Sequence, residues 1–271
     1  MKKILALMLA LMLVLAAGIA SADKLDDILA AGKLVVGANI TFPPYEFYRT
    51  NPDTGVEEMA GFDMKLAQGI ADMLGVECVI EDQAFSGLVT ALSVGDLDCV
   101  ISGMAVKPER LEVVDFSDPY FAGNQIMMIR AEDADKLKTV EDMKGRRVGA
   151  QTGSLQAGIL SEQFAESEEY VIDSPAILAM DLAQGNIDGW LITDLVAKQY
   201  MAVYPDQLMI SEVPVVYDSS AGVAVAVQKG DNAALLEKIN AYIAQIKADG
   251  TFDGWMDEAC QQSADLLKEQ Q

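Results

Sequence analysis

Short apolar runs alternate along the chain with stretches whose apolar residues recur at helical spacing. Residues 34–38 predict a strand, 63–74 a helix, 76–80 a strand, 86–92 a helix and 99–102 a strand. Such alternation predicts an α/β fold with mostly parallel sheets. The pattern then returns. Val36-Gly37-Ala38-Asn39 is echoed by Val148-Gly149-Ala150-Gln151. The spacing of Leu92, Gly95, Leu97, Asp98 and Ile101 is echoed by Leu182, Gly185, Ile187, Asp188 and Leu191. In each copy a helix ends at a glycine, the chain turns through an aspartate, and a buried strand follows. Two echoes in the same order predict two similar lobes.

Two extended apolar segments, 120–129 and 215–227, read as connectors. If both run between the lobes, lobe one holds residues 23–121 and 219–271, and lobe two holds 122–218. Helices predicted over 232–247 and 251–267 then pack back onto lobe one, with Gly250 as the stop between them. Two lobes joined by two crossovers leave a cleft, where small ligands bind. In open α/β sheets the ligand lies beyond the carboxyl ends of the strands.

The first 22 residues read as a separate leader. Lys2 and Lys3 precede an apolar run over 4–20, and Ala20-Ser21-Ala22 gives a small-x-small cleavage pattern. This is the form of a secretory signal peptide; the alternative is an anchoring helix. No cysteine follows the run to take a lipid anchor, so the expected location is periplasmic or secreted. Without Lys2 and Lys3, 17 basic residues stand against 42 acidic ones, which excludes nucleic acid as a partner and fits a self-repelling, monomeric surface. Histidine is absent, which removes Ser-His-Asp and Cys-His chemistry and histidine-ligated zinc; no metal site is expected. Cys78, Cys99 and Cys260 are widely spaced. One disulfide is allowed, and buried free thiols are the expectation for Cys78 and Cys99.

The strand ends carry the candidate chemistry. Asn39 opens a loop rich in aromatics that contains Phe42 and two prolines. Phe85 stands before a predicted helix, as an apolar staple or as a second cleft aromatic. Gly103 permits close backbone approach in the turn Gly103-Met104-Ala105. Arg110 follows Pro108 in a predicted short helix; it is either a solvated arginine or a bidentate clamp for a carboxylate. In lobe two, Gln151 ends a strand, and Ser154 is a helix cap or part of an anion site. Thr193-Asp194 ends the strand echoed from lobe one. Asp194 has two readings, a helix cap or the partner of a ligand ammonium.

Taken in order, several of these pieces resemble one family. They are Pro44-Tyr45-Glu46-Phe47, Gly61-Phe62-Asp63, Phe85-Ser86-Gly87-Leu88, Gly95-Asp96-Leu97-Asp98, Pro108-Glu109-Arg110 and Val114-Asp115-Phe116-Ser117-Asp118-Pro119-Tyr120. Nearly the whole chain after the leader is similar to the polar amino-acid-binding proteins of ABC importers, solute-binding family 3. The resemblance implies a type II periplasmic binding fold of two Rossmann-like lobes, no cofactor, and a permease as partner. It implies that Arg110 holds the ligand α-carboxylate with Gly103 and Ser154, and that Asp194 holds the α-ammonium. Phe42 and Phe85 would sandwich the ligand side chain, with Asn39 and Gln151 reading its end. Ala105 and Lys107 depart from the threonines common in the family. Asn39 stands where binders of cationic side chains often carry an acid, which favours glutamine over arginine as ligand. A periplasmic cyclohexadienyl dehydratase, acting on prephenate or arogenate on the same scaffold, is the alternative.

Overall fold

The computed structural model describes residues 23–269; the leader expected over 1–22 lies outside them. Helix α1 (Lys24–Ala31) leads into strand β1 (Lys33–Ala38). A small antiparallel sheet follows, made of β2 (Thr41–Phe42), β3 (Glu46–Thr50) and β4 (Glu57–Ala60). Then come α2 (Phe62–Leu74), β5 (Glu77–Asp82), a one-turn helix at Phe85–Gly87, α3 (Leu88–Val94), β6 (Cys99–Val100), α4 (Pro108–Leu111) and β7 (Val114–Phe116). The chain enters a second sheet with β8 (Gln125–Arg130), β9 (Arg147–Gln151), α5 (Leu155–Gln163) and β10 (Glu168–Ile172). That half is completed by α6 (Pro175–Ala183), β11 (Gly189–Thr193), α7 (Asp194–Val203) and β12 (Leu208–Ile210). It returns to the first sheet through β13 (Ala226–Gln228) and ends in α8 (Ala233–Ala248) and α9 (Thr251–Glu269).

The first sheet has the order β5-β1-β6-β13-β7 and the second the order β10-β9-β11-β8-β12. Each is parallel on one side only. β1 runs parallel to β5 and β6, while β13 runs antiparallel to β6 and β7. β9 runs parallel to β10 and β11, while β8 runs antiparallel to β11 and β12. The mostly parallel sheets read from the sequence are therefore mixed ones. The cause is the connectors, which enter each sheet as reversed strands.

Alternation along β1 builds two cores. Leu34 and Val36 face α2 and α8 through Leu66, Ile70, Ile239 and Ile243, while Val35 faces Leu88 and Leu92 of α3. The second sheet repeats the plan: Val148 and Ala150 meet Ile159 and Leu160 of α5, and Trp190 and Ile192 meet Leu178, Leu182 and Val196. The sequence echo has a physical counterpart. Asp98 accepts the Val35 N–H at 2.8 Å, and Asp188 accepts the Arg147 N–H at 3.1 Å. Each aspartate pins the first parallel strand of its own sheet. Gly95 and Gly185, which precede them, both have positive φ (88° and 78°), a conformation open to glycine at no steric cost.

The two connectors lie side by side. Tyr120 N donates to Val223 O at 3.0 Å and Val223 N donates to Phe121 O at 2.8 Å. Of the terminal helices, α8 packs on α1 and α2 as expected, but α9 reaches further. It packs on α2 and α8 and also on α7, beside the second sheet. Ser263 Oγ donates to Gln199 Oε1 at 2.9 Å, with both residues buried. Nineteen residues span about 28 Å, enough to cover both lobes. The cysteines are free; Cys99 is buried, and Cys78 and Cys260 are half-buried.

Candidate functional site

The ends of β1, β6, β9 and β11 converge on a cavity between the two sheets. Lobe one lines it with Asn39, Phe42, Phe85, Gly103, Ala105 and Arg110, and lobe two with Gln151, Ser154 and Thr193. The lobes touch around its rim. Gln151 Nε2 donates to Asn39 Oδ1 at 3.0 Å, and Arg110 Nη2 donates to Gly153 O at 3.0 Å. A Cβ built on Gly153 would stand 3.1 Å from Ser86 Cα in the opposite lobe. This is a closed arrangement.

Arg110 decides the electrostatics. Pro108 opens α4 at its first turn, where a missing N–H costs nothing, and the helix carries Arg110 into the interior at 7% exposure. Its guanidinium donates to Ala105 O at 2.7 Å and to Gly153 O, and lies 5.4 Å from the centre of the Phe85 ring. Among the described residues it forms no salt bridge. Burial without a counter-charge lowers its pKa to about 10, so the charged form is held at a cost that an entering anion relieves.

Ser154 and Thr193 are both helix caps and wall residues. Ser154 Oγ accepts the Ala157 N–H at 3.1 Å, and Thr193 Oγ1 accepts the Val196 N–H at 3.5 Å. The two readings of Ser154 are thus compatible. Ala105 bridges to Val223 on the returning connector, which fixes the carbonyl that Arg110 uses. Gly103 has φ 53°, and a Cβ there would press on Tyr45 at 3.3 Å.

Two predicted residues stand off the wall. Met104 is fully buried in the lobe-one core beside Leu88, Leu92 and Val114, because the turn points Gly103 and Ala105 to the cavity and the residue between them inward. Asp194 is half-buried at the start of α7 and accepts from Asn124 N and Nδ2, both at 3.3 Å. In this closed form it holds the outgoing connector, next to Thr193. Residues that the sequence reading gave no role also line the cavity: Glu46, Ser102, Gln125, Leu155, Gln156 and Val223. Gln156 Nε2 donates to Gln125 Oε1 at 2.7 Å. The position of Leu155 and Gln156 in the first turn after Ser154 was an available signal for them. Nothing local marks Val223, which depends on where the second connector runs.

The model for bacterial extracellular solute-binding proteins, family 3, matches residues 34–259. The chain belongs to that family. Among similar proteins, the ABC transporter arginine-binding protein 1 of Escherichia coli K12 is 33% identical over 84% of this chain and 91% of its own. An amino acid ABC transporter substrate-binding protein of Streptococcus pneumoniae, solved bound to L-arginine, is 30% identical with a TM-score of 0.83, over 88% of this chain and 99% of its own. An ancestral amino-acid-binding protein, described as a precursor of cyclohexadienyl dehydratase, is 29% identical with a TM-score of 0.77, over 87% of this chain and 98% of its own. The two-lobed periplasmic-binding architecture expected of a family-3 protein is the fold found. Among the described residues no helix is long and apolar enough to cross a membrane.

Proposed function

We propose that this chain captures a polar L-amino acid between its lobes outside the cytoplasm and hands it to the membrane permease of an ABC importer, without chemical turnover. The observation that carries this reading is Arg110, a buried guanidinium on the wall of the cavity with carbonyl partners and, among the described residues, no carboxylate in ion-pair contact. An α-carboxylate supplies the missing charge through two parallel hydrogen bonds. Asp194 offers the matching anion for the α-ammonium when a ligand separates it from Asn124. A zwitterion would then draw on groups of both lobes and favour the closed state through contacts it makes only there.

The domain limits that go with this reading are 23–121 plus 219–271 for lobe one and 122–218 for lobe two, after a leader over 1–22. Arginine takes the place of glutamine as the leading ligand. Two of the proteins described above are named for arginine or solved with it. The dehydratase alternative is less favoured because the relative and the arginine-bound structure described above are amino-acid-binding transport proteins, and the dehydratase precursor is itself described as an amino-acid-binding protein.

The test is calorimetric titration of protein refolded to strip bound ligand, one L-amino acid at a time. Tight binding of arginine, or of a few polar amino acids, is expected. No binding by any amino acid, together with turnover of prephenate or arogenate, overturns the reading.

A further inference from the structure

Two buried carboxyls, one of them on the cavity wall, are not used directly in ligand capture. Glu46 begins β3 and Asp63 is the second residue of α2, and both are fully buried. Their partners differ. Asp63 Oδ2 accepts from Gly103 N at 2.6 Å and from Tyr120 Oη at 2.9 Å. Glu46 Oε1 accepts from Ser102 Oγ, which in turn accepts the Asn39 N–H at 3.0 Å. Each carboxyl keeps one buried oxygen, Glu46 Oε2 and Asp63 Oδ1, that receives no N–H or O–H of the protein. The two are neighbours in space: Asp63 N donates to Tyr45 O at 3.0 Å, one residue before Glu46, and the carboxyls accept from the successive residues Ser102 and Gly103. Neither forms an ion pair with a described lysine or arginine.

Two adjacent buried carboxylates without a cation cannot both ionise. One proton between them satisfies both orphaned oxygens. The donors decide where it resides. Asp63 has two of them and stands in the first turn of a helix, where negative charge is favoured; Glu46 has one hydroxyl. We propose that Glu46 and Asp63 share one proton, with Glu46 as the acid and Asp63 as the carboxylate. The pair is a positioning unit that sets the ligand-facing turn at Ser102 and Gly103. Through Tyr120 the same pair grips the start of the first connector. It leaves one negative charge against that turn, which suits a cationic ligand side chain. Burial, then the charge of Asp63, raises the Glu46 pKa well above its ordinary value, and burial raises that of Asp63 to about 6 against the lowering hydrogen bonds from Gly103 and Tyr120, in line with this assignment.

The consequence for ligand affinity rests on the function proposed above; the shared proton does not. Two readouts separate them. In the infrared, the intact protein at neutral pH is expected to show a protonated-carboxyl band that disappears in Glu46→Gln. In titrations with L-arginine, Glu46→Ala is expected to lose at least about tenfold in affinity. Glu46→Gln, whose amide donates to Asp63 and accepts from Ser102, recovers most of that loss. A missing band, or a glutamine variant as impaired as the alanine one, overturns the proposal. A wild-type protein that shows the band but binds no amino acid sinks the transport reading and leaves the shared proton standing.

Discussion

Gln151 and Asn39 occupy equivalent places at the ends of the first parallel strands of their lobes, and they meet across the cleft, Gln151 Nε2 donating to Asn39 Oδ1 at 3.0 Å. Both are buried. Asn39 is also tied to its own lobe through Gln83 O and Thr41 Oγ1, and Gln151 to its own through Asp173 O. The contact therefore joins two preset groups and loses little side-chain freedom on forming. Removing one partner strands buried polarity at about 1–3 kcal/mol. Asn39→Ala is expected to shift the ligand-free protein from closed toward open by roughly five- to 150-fold. Small-angle scattering should show a larger radius of gyration; an unchanged radius would mean that the lobes are held elsewhere.

Arg110 makes opposite contributions to function and to stability. Its charge is buried for the sake of a carboxylate that arrives only with the ligand. Arg110→Met should abolish amino-acid binding and, in the absence of ligand, raise the thermal midpoint, because an uncompensated buried charge is replaced by an apolar side chain of similar length. Arg110→Lys should not rescue binding, since an ammonium lacks the planar fork. Thermal denaturation with and without arginine checks both halves. Binding retained in the methionine variant would remove Arg110 from the ligand clamp.

Gly153 bears on closure itself. It has φ 71°, and a Cβ there would meet Ser86 Cα of the other lobe at 3.1 Å. Gly153→Ala adds left-handed strain of about 1 kcal/mol to a clash that exists only when the lobes are together. Arginine affinity should fall about tenfold or more, with helix and sheet content unchanged by circular dichroism. An unaltered dissociation constant in calorimetry would show that the lobes close less far than described.

Local rules make much of this molecule legible from sequence. The glycine-aspartate echoes were readable because a left-handed cap and a strand-pinning carboxylate each demand a residue type at a fixed spacing. Arg110 was readable because Pro108 marks the turn that carries it. The reversed strands β8 and β13 were not, since an apolar run has no direction in its composition. Met104 shares a turn with two wall residues, and only the backbone path decides which of the three points inward. Glu46 was hidden for a different reason. It was quoted as part of a loop motif, and its role depends on Asp63, Ser102 and Gly103, which reach it from other elements.

That buried pair also gives the stability of the protein a sign in pH. An acid whose folded-state pKa lies above its unfolded value binds its proton more tightly when folded. It therefore favours the fold at low pH, and that contribution is lost as pH climbs from the unfolded value through the folded one. For Asp63 the climb runs from 3.8 to about 6, and for Glu46 it begins at 4.5 and extends well above. The groups acting on Glu46 are Asp63, Asp82 and the Ser102 hydroxyl, and none is cationic. Glu46→Gln removes this titration while keeping the hydrogen bonds. Relative to wild type, the variant should gain stability as pH is raised above about 5, by at most about 1.4 kcal/mol per pH unit. Carboxylates elsewhere with lowered pKa values, such as Asp115 and Asp133, act in the opposite direction in both proteins and cancel in the difference. Parallel denaturant titrations of the two proteins across this range measure it. A difference that stays flat, or shrinks as pH rises, would mean that Glu46 is already ionised in the native state and that its proton is not shared.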